Sequence, residues 1–244
     1  MEHEPHELRI AGVTAFSTVD WPGMMAATLF LQGCPWDCFY CHNPALIDPR
    51  TAGVYSWADV TDLLCDRIGL LDAVVFSGGE PTMQRGLIPA MKMVRALGFE
   101  VGLHTAGTYP SLLAKVLPFV DWVGLDIKST REEYTGVTGR ARSGENAWRS
   151  LELVLAHNML RAGTKRPLDY EVRTTVHPAA FDDASLRDLG CRLADAGVET
   201  WAVQRFRDTG TRSPLPRVTA EAVDAAPLHL DELPAELFAH FSIR

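Results

Sequence analysis

Three of the chain's five cysteines fall within eight residues, at Cys34, Cys38 and Cys41. The segment reads Gly33-Cys34-Pro35-Trp36-Asp37-Cys38-Phe39-Tyr40-Cys41-His42-Asn43-Pro44. Gaps of three and then two residues let one loop wrap one metal centre. A structural zinc site takes four protein ligands, and a fourth here is only His42, awkwardly adjacent to Cys41, or a distant Cys or His. Three thiolates from one loop suit a 4Fe-4S cluster that leaves one iron open for a substrate or cofactor. A zinc knuckle, or three unligated thiols, remains the alternative. Cys65 and Cys191 fall on predicted helices as small, semi-apolar residues with no ligand spacing around them.

The elements that must position this loop alternate regularly. Apolar, strand-like runs occupy 26–32, 73–76, 99–104, 122–127, 170–176 and 200–206. Between them lie helical patterns at 57–68, 87–97, 111–117, 145–160 and 182–196, the last capped by Asp182 and stopped by Gly197. Strands alternating with helices predict a parallel sheet with crossover helices, and continuous apolar runs predict strands covered on both faces. An open doubly wound sheet and a partial β/α barrel both fit. Eight β/α units need ~250 residues, so six units with an N-terminal extension (8–23) and a C-terminal tail (208–244) fit this length better. No composition shift divides the chain, which is read as one domain over 1–244 with its core at about 24–207. The loop 208–217, with Gly, Ser and two prolines, reads as mobile.

In either architecture the cysteine loop follows the first parallel strand, on the face where active sites form. Other polar residues end strands on that face. The turn Ser77-Gly78-Gly79-Glu80-Pro81 follows the second, and His104-Thr105 ends the third. Asp126 and Lys128 close the fourth, Arg173, Thr175 and His177 the fifth, and Gln204 lies on the sixth. A mouth lined this way can grip a ribose, a carboxylate and an adenine.

The 244 residues are 47% apolar and 22% charged, the balance of a globular protein able to bury a core without disulfides. With 23 Lys+Arg against 31 Asp+Glu the net charge is −8, which argues against nucleic-acid binding through a basic surface. No apolar run approaches the ~20 residues that span a bilayer, so no membrane partner is expected. The polar, acidic N-terminus MEHEPHELRI does not read as a signal peptide. A cytoplasmic protein with reduced thiols is the expectation.

Cys34, Cys38 and Cys41, followed by Gly78-Gly79-Glu80 after the second strand, resemble the cysteine motif and Gly-Gly-Glu motif of the radical S-adenosylmethionine (SAM) superfamily. The stretches Phe16-Ser17-Thr18-Val19-Asp20-Trp21-Pro22-Gly23, Phe30-Leu31-Gln32-Gly33-Cys34 and Tyr40-Cys41-His42-Asn43-Pro44 resemble the activating proteins of anaerobic ribonucleoside-triphosphate reductases, which belong with the glycyl-radical-enzyme activases. The resemblance covers about 8–207.

It implies a partial (β/α)6 TIM-like barrel, one 4Fe-4S cluster on Cys34, Cys38 and Cys41, and SAM on its open iron. It also implies reductive cleavage of SAM to install a glycyl radical on a partner. The partner implied is anaerobic ribonucleotide reductase, with flavodoxin or ferredoxin as electron donor. Gly78 and Gly79 would let backbone carbonyls approach the cofactor's ammonium, with Glu80 anchoring the turn. Asp126-Ile127-Lys128 matches an Asp-x-Lys pair that in activases helps hold the cofactor or the substrate peptide. By their strand-end positions His104, Thr105, Thr175 and His177 would complete the cofactor site, and Lys128 and Arg173 would serve catalysis by holding the substrate loop. Phe39 and Tyr40 would shield the cluster from water. Two departures stand out: Pro35 follows the first cysteine where many relatives have Asn, and Thr105-Ala106-Gly107 replaces a frequent Thr-Asn-Gly. The rival readings are a small-molecule enzyme such as 7-carboxy-7-deazaguanine synthase, and a non-catalytic zinc or iron-sulfur protein working by interaction.

Overall fold

The structure, a computed structural model, describes residues 4–219 and 228–244. Strand β1 (Ile10–Ser17) pairs antiparallel with β2 (Ala26–Leu31). Helix α1 (Trp57–Cys65) leads to β3 (Ala73–Gly78), α2 (Leu87–Ala96) to β4 (Glu100–Thr105), and α3 (Pro110–Val116) to β5 (Trp122–Asp126). Helices α4 (Tyr134–Thr138) and α5 (Ser143–Arg161) precede β6 (Asp169–Val176). Helix α6 (Asp183–Asp195) precedes β7 (Thr200–Arg205), and β8 (His240–Ile243) comes last. The eight strands form one sheet in chain order, parallel from β2 onward.

The expected six parallel strands are therefore β2 to β7, an open β/α arc. Two strands extend it at its free edges. β1 lies within the N-terminal extension and β8 within the tail. Among the described residues, no helix is long and apolar enough to cross a membrane.

Side-chain alternation builds two cores. Along β3, Val74 and Phe76 face the helices while Ala73 and Val75 face inside the arc. The outer layer joins Leu29, Leu31, Phe76, Leu103, Val123 and Val203 to the apolar stripes of the helices. Those stripes follow the helical period: Trp57, Val60 and Leu64 on α1, and Leu186, Leu189 and Leu193 on α6. Ser56 and Asp59 form a capping box that starts α1, and Asp182 with Ser185 does the same for α6. The inner layer is filled from the N-terminal extension. After β1 the chain turns into the arc, and Trp21 stacks on Trp122 with ring centroids 5.4 Å apart. Gly102 gives the indole its room: a Cβ there would lie 2.9 Å from the Trp21 ring. This plug closes one end of the arc and leaves the strands' C-terminal ends as the open mouth.

Candidate active site

A cavity of about 300 Å³ opens at that mouth. Cys34, Cys38 and Cys41 line it together with Gly78, Gly79, His104, Thr105, Asp126, Lys128, Arg173, Thr175 and Gln204. The cysteine loop is hung from both sides. Gly33 and Cys34 donate backbone hydrogen bonds to Leu46 and Ile47 (2.8 and 3.0 Å). Asp37 and Phe39 donate to the carbonyls of Thr138 and Val137, both at 3.1 Å. Phe39 and Tyr40 are buried beneath it.

Burial pushes the Cys34 thiol up to about 12 and the Cys38 thiol up to about 11. Both are costly to ionise unaided, the condition in which a bound cation draws the thiolates out. Among the described residues no three His, Cys, Asp or Glu side chains converge where one metal ion could sit. A cubane makes no such demand, because each of three irons takes one thiolate. The Tyr40 hydroxyl, on the cavity wall, is buried with no hydrogen-bond partner among the described residues, as expected of a wall built to face another group.

The polar lining divides into groups turned into the cavity and groups spent within the wall. Asp126 at the end of β5 sits between two cations, with Lys128 Nζ at 3.1 Å and Arg173 Nη2 at 2.9 Å. The parallel register that pairs Asp126 with Arg173 on β6 makes this contact. Burial alone would raise the Asp126 carboxyl, but the two cations outweigh it and hold it well below the usual carboxylate range. Burial would lower Lys128, but Asp126 holds it above the usual lysine range.

His104 lines the wall with both ring nitrogens engaged. Nε2 meets the Asp20 carbonyl at 2.6 Å and Nδ1 meets Ser77 Oγ at 3.0 Å. A carbonyl only accepts, so Nε2 carries the proton and Nδ1 accepts from the serine. Burial, reinforced by the Arg173 charge, brings His104 down to about 3 and keeps it neutral. Thr105 donates its hydroxyl to Glu80.

Two expected cofactor residues lie outside the lining. Glu80 is fully buried behind the wall. It accepts from Thr82 N and Oγ1, from Thr105 Oγ1 and from Ala106 N, so it fixes the Gly-Gly turn and presents nothing to the cavity. His177 follows Val176, and its ring turns away to pack on Phe39 and Phe206 at 5.3 and 4.6 Å, while Nδ1 accepts from Ala179 N. In the other direction, Asp20 reaches the cavity from the N-terminal plug, its Oδ2 accepting from Thr28 Oγ1 at 2.8 Å. The stretch that holds it was visible in the sequence, but nothing local showed that it turns back into the arc. Ala106, in place of the frequent Asn, lines the cavity with a methyl group, and its backbone N–H is spent on Glu80.

Burial pushes the Glu80 carboxyl up, with the Thr82 and Thr105 hydroxyls and two backbone N–H groups pulling it back less than fully. A carboxyl raised in the folded state contributes stability that is complete below its unfolded value, 4.5, and is lost as pH rises through the folded value. Glu80→Gln does not titrate, and its NH2 must face one backbone N–H donor, Thr82 N or Ala106 N, where the wild-type carboxyl accepts. The variant should be less stable by about 1–3 kcal/mol at acid pH. That deficit should shrink as pH rises above 4.5, as read by urea unfolding across pH.

An open arc of parallel strands, three cysteines on the loop after its first parallel strand and a polar cavity over them define a cluster-bearing β/α enzyme. Residues 28–166 match the model of the Radical SAM superfamily, and the chain belongs to that superfamily. Its members use a 4Fe-4S cluster and SAM, and the donor set described above fits both. A Methanocaldococcus jannaschii protein named as a glycyl-radical enzyme activating enzyme is 28% identical over 201 residues, 81% of this chain and 79% of that one. The pyruvate formate-lyase-activating enzyme of Clostridium pasteurianum is 31% identical over 144 residues, spanning 56% of this chain and 59% of its own length. A shorter match, 35% over 125 residues (42% of this chain, 49% of that one), is to 7-carboxy-7-deazaguanine synthase of Thermococcus kodakarensis. Among solved structures, Streptococcus suis SuiB bound to SAM shares the fold, with a TM-score of 0.54 at 13% identity over 77% of this chain and 41% of that one.

Proposed function

We propose that this chain is a glycyl-radical-enzyme activating enzyme and that its partner is an anaerobic ribonucleoside-triphosphate reductase. The observation that carries the activase reading is the match to a protein of that name over four fifths of both chains. The flanking segments around Asp20 and Tyr40 support the reductase as the particular target. A single domain over 1–244 carries the activity, in the cytoplasm, with flavodoxin or ferredoxin as electron donor.

When bound, the cluster and SAM supply a one-electron reductive cleavage that ends in hydrogen-atom abstraction. The chain's own residues arrange it. Cys34, Cys38 and Cys41 hold the cluster. Gly78 and Gly79 offer backbone to the methionine end of SAM, and Thr175, Asp126 and Lys128 offer polar side chains to the rest. His104 and Thr105 shape the wall, with their polar atoms already committed. Lys128 and Arg173 hold carbonyls of the incoming glycine loop through charged hydrogen bonds, and Asp126 keeps the two cations side by side. Phe39 and Tyr40 keep water from the cluster side of the cavity.

The test uses the reconstituted chain, a reductant, SAM and a reductase deuterated at its radical glycine. Deuterium should appear in 5′-deoxyadenosine, and a glycyl doublet should appear by electron paramagnetic resonance, absent with the partner's Gly→Ala variant. If no deuterium transfers and a small molecule is consumed instead, the activase reading is wrong.

A further inference from the structure

The back of the cysteine loop carries a cluster of charges that nothing above uses. Asp37 lies between Cys34 and Cys38, and two arginines from beyond β7 hold it. Arg217 places Nη1 3.1 Å from Asp37 Oδ2 and donates from Nη2 to the Asp37 carbonyl oxygen. Arg212 places Nη2 2.7 Å from Asp37 Oδ1 and donates from the same nitrogen to the carbonyl oxygen of Cys38 at 3.0 Å.

Their segment, 207–219, is fastened along its length. The Arg207 carbonyl meets His42 Nε2 at 2.8 Å, and the His42 ring stacks on Phe206. Leu215 and Val218 pack on Phe39, Tyr40 and Val137. Arg217 holds φ at +63°, a region that non-glycine residues seldom adopt. Its guanidinium lies over Gly139, where a Cβ would come within 2.9 Å of it. So the stretch that reads from sequence as mobile is tied to the cysteine loop.

The charge count gives this tie a second consequence. Two guanidinium groups face the one carboxylate, and Arg140 Nε donates to the Pro35 carbonyl of the same loop at 3.1 Å, so the back of the loop is net positive. A thiolate-bound cluster gains negative charge on reduction, so a fixed cation beside it favours the reduced form. We propose that Arg212 and Arg217 are positioning residues: segment 207–219 latches the cysteine loop through Asp37, and its net positive charge raises the reduction potential of the cluster. This rests on Cys34, Cys38 and Cys41 being the cluster ligands.

The experiment uses the whole chain, reconstituted anaerobically with iron and sulfide. It reads the potential by redox titration with electron paramagnetic resonance, and the rate of iron release to a chelator. Arg212→Gln should lower the reduced-to-oxidised ratio at fixed potential about tenfold, a shift of ~59 mV to the negative for a one-electron couple, and should release iron several-fold faster. Asp37→Asn should also speed release, because it opens the same clamp, but should move the potential the opposite way. Arg212→Lys should keep the wild-type potential yet release iron faster, since an ammonium cannot span Asp37 and Cys38 as the fork does. Equal potentials in wild type, Arg212→Gln and Asp37→Asn would overturn the electrostatic role, and equal release rates would overturn the latch. Should Arg212→Gln not fold, Asp37→Asn and Arg212→Lys make the same comparison. Wild-type protein that takes up no iron would remove the ligand assignment itself, and the latch's role with it.

Discussion

Replacing any one of Cys34, Cys38 or Cys41 with Ala should abolish cluster binding. Wild-type protein reconstituted without oxygen should carry about four irons with a broad visible absorption, and each of the three variants should carry neither. The structure places the other two cysteines away from the cavity and engages the neighbouring His42 elsewhere. Cys65 is exposed at the last turn of α1, and Cys191 lies within α6 on the outer face of the arc. His42, the neighbour that a zinc reading would recruit, has its Nε2 on the Arg207 carbonyl and its ring stacked on Phe206. Cys65→Ala and Cys191→Ala should therefore keep full iron content. Stoichiometric zinc with no iron uptake would refute the assignment.

The cysteine loop was legible because ligand chemistry demands fixed residue types at fixed spacing, and such a demand survives in one sequence. The parallel strands were legible for a different reason. Both faces of β2 to β7 are covered, so Ala26–Leu31 or Ala73–Gly78 reads as an apolar run. The edge strands lack that signature. β1 buries its two ends and leaves its middle half-exposed, and β8 has only four residues, none of them buried. Neither pattern separates a strand from an extended tail.

Side-chain direction was the second thing hidden. Glu80 and His177 come just past strand ends as Lys128 does, yet one turns behind the wall and the other into an aromatic cluster. Turn geometry and packing decide that, and neither is written in residue type. The latch was the least legible feature. Asp37 and Arg217 stand 180 positions apart, and each alone is an ordinary surface charge. Only the folded course of the chain past β7 brings them together.

Gly79→Ala should lose the cluster, and with it SAM cleavage. If Gly79 served only to leave space for a cofactor, a methyl group there would spare the iron and block cleavage alone. The geometry says otherwise. A Cβ on Gly79 would lie 2.2 Å from the Gly33 carbonyl oxygen, 2.7 Å from its carbon and 3.1 Å from the Leu46 oxygen. All three are backbone atoms and cannot rotate aside. Gly33 is the residue before Cys34, and its carbonyl accepts from Glu80 N at 2.8 Å. The Gly-Gly-Glu turn and the cysteine loop are thus two sides of one backbone crossing, closed enough that only hydrogen atoms fit between them. Gly78 is bound in the same way from the other side. Its φ is +112°, and a Cβ would meet Leu31 N at 2.2 Å. Forcing a methyl group into the crossing should cost about 1–3 kcal/mol and displace Cys34 from the cavity wall it shares with Cys38 and Cys41. Gly136→Ala is the control: it sits on α4, with nothing within 4 Å of an added Cβ, and should bind iron as wild type does and be no less stable, since Ala favours a helix interior over Gly by about 1 kcal/mol. Iron content and urea unfolding of the two glycine variants decide the matter, and a Gly79→Ala protein with four irons, wild-type stability and no SAM cleavage would restore the simpler reading of the turn as cofactor space.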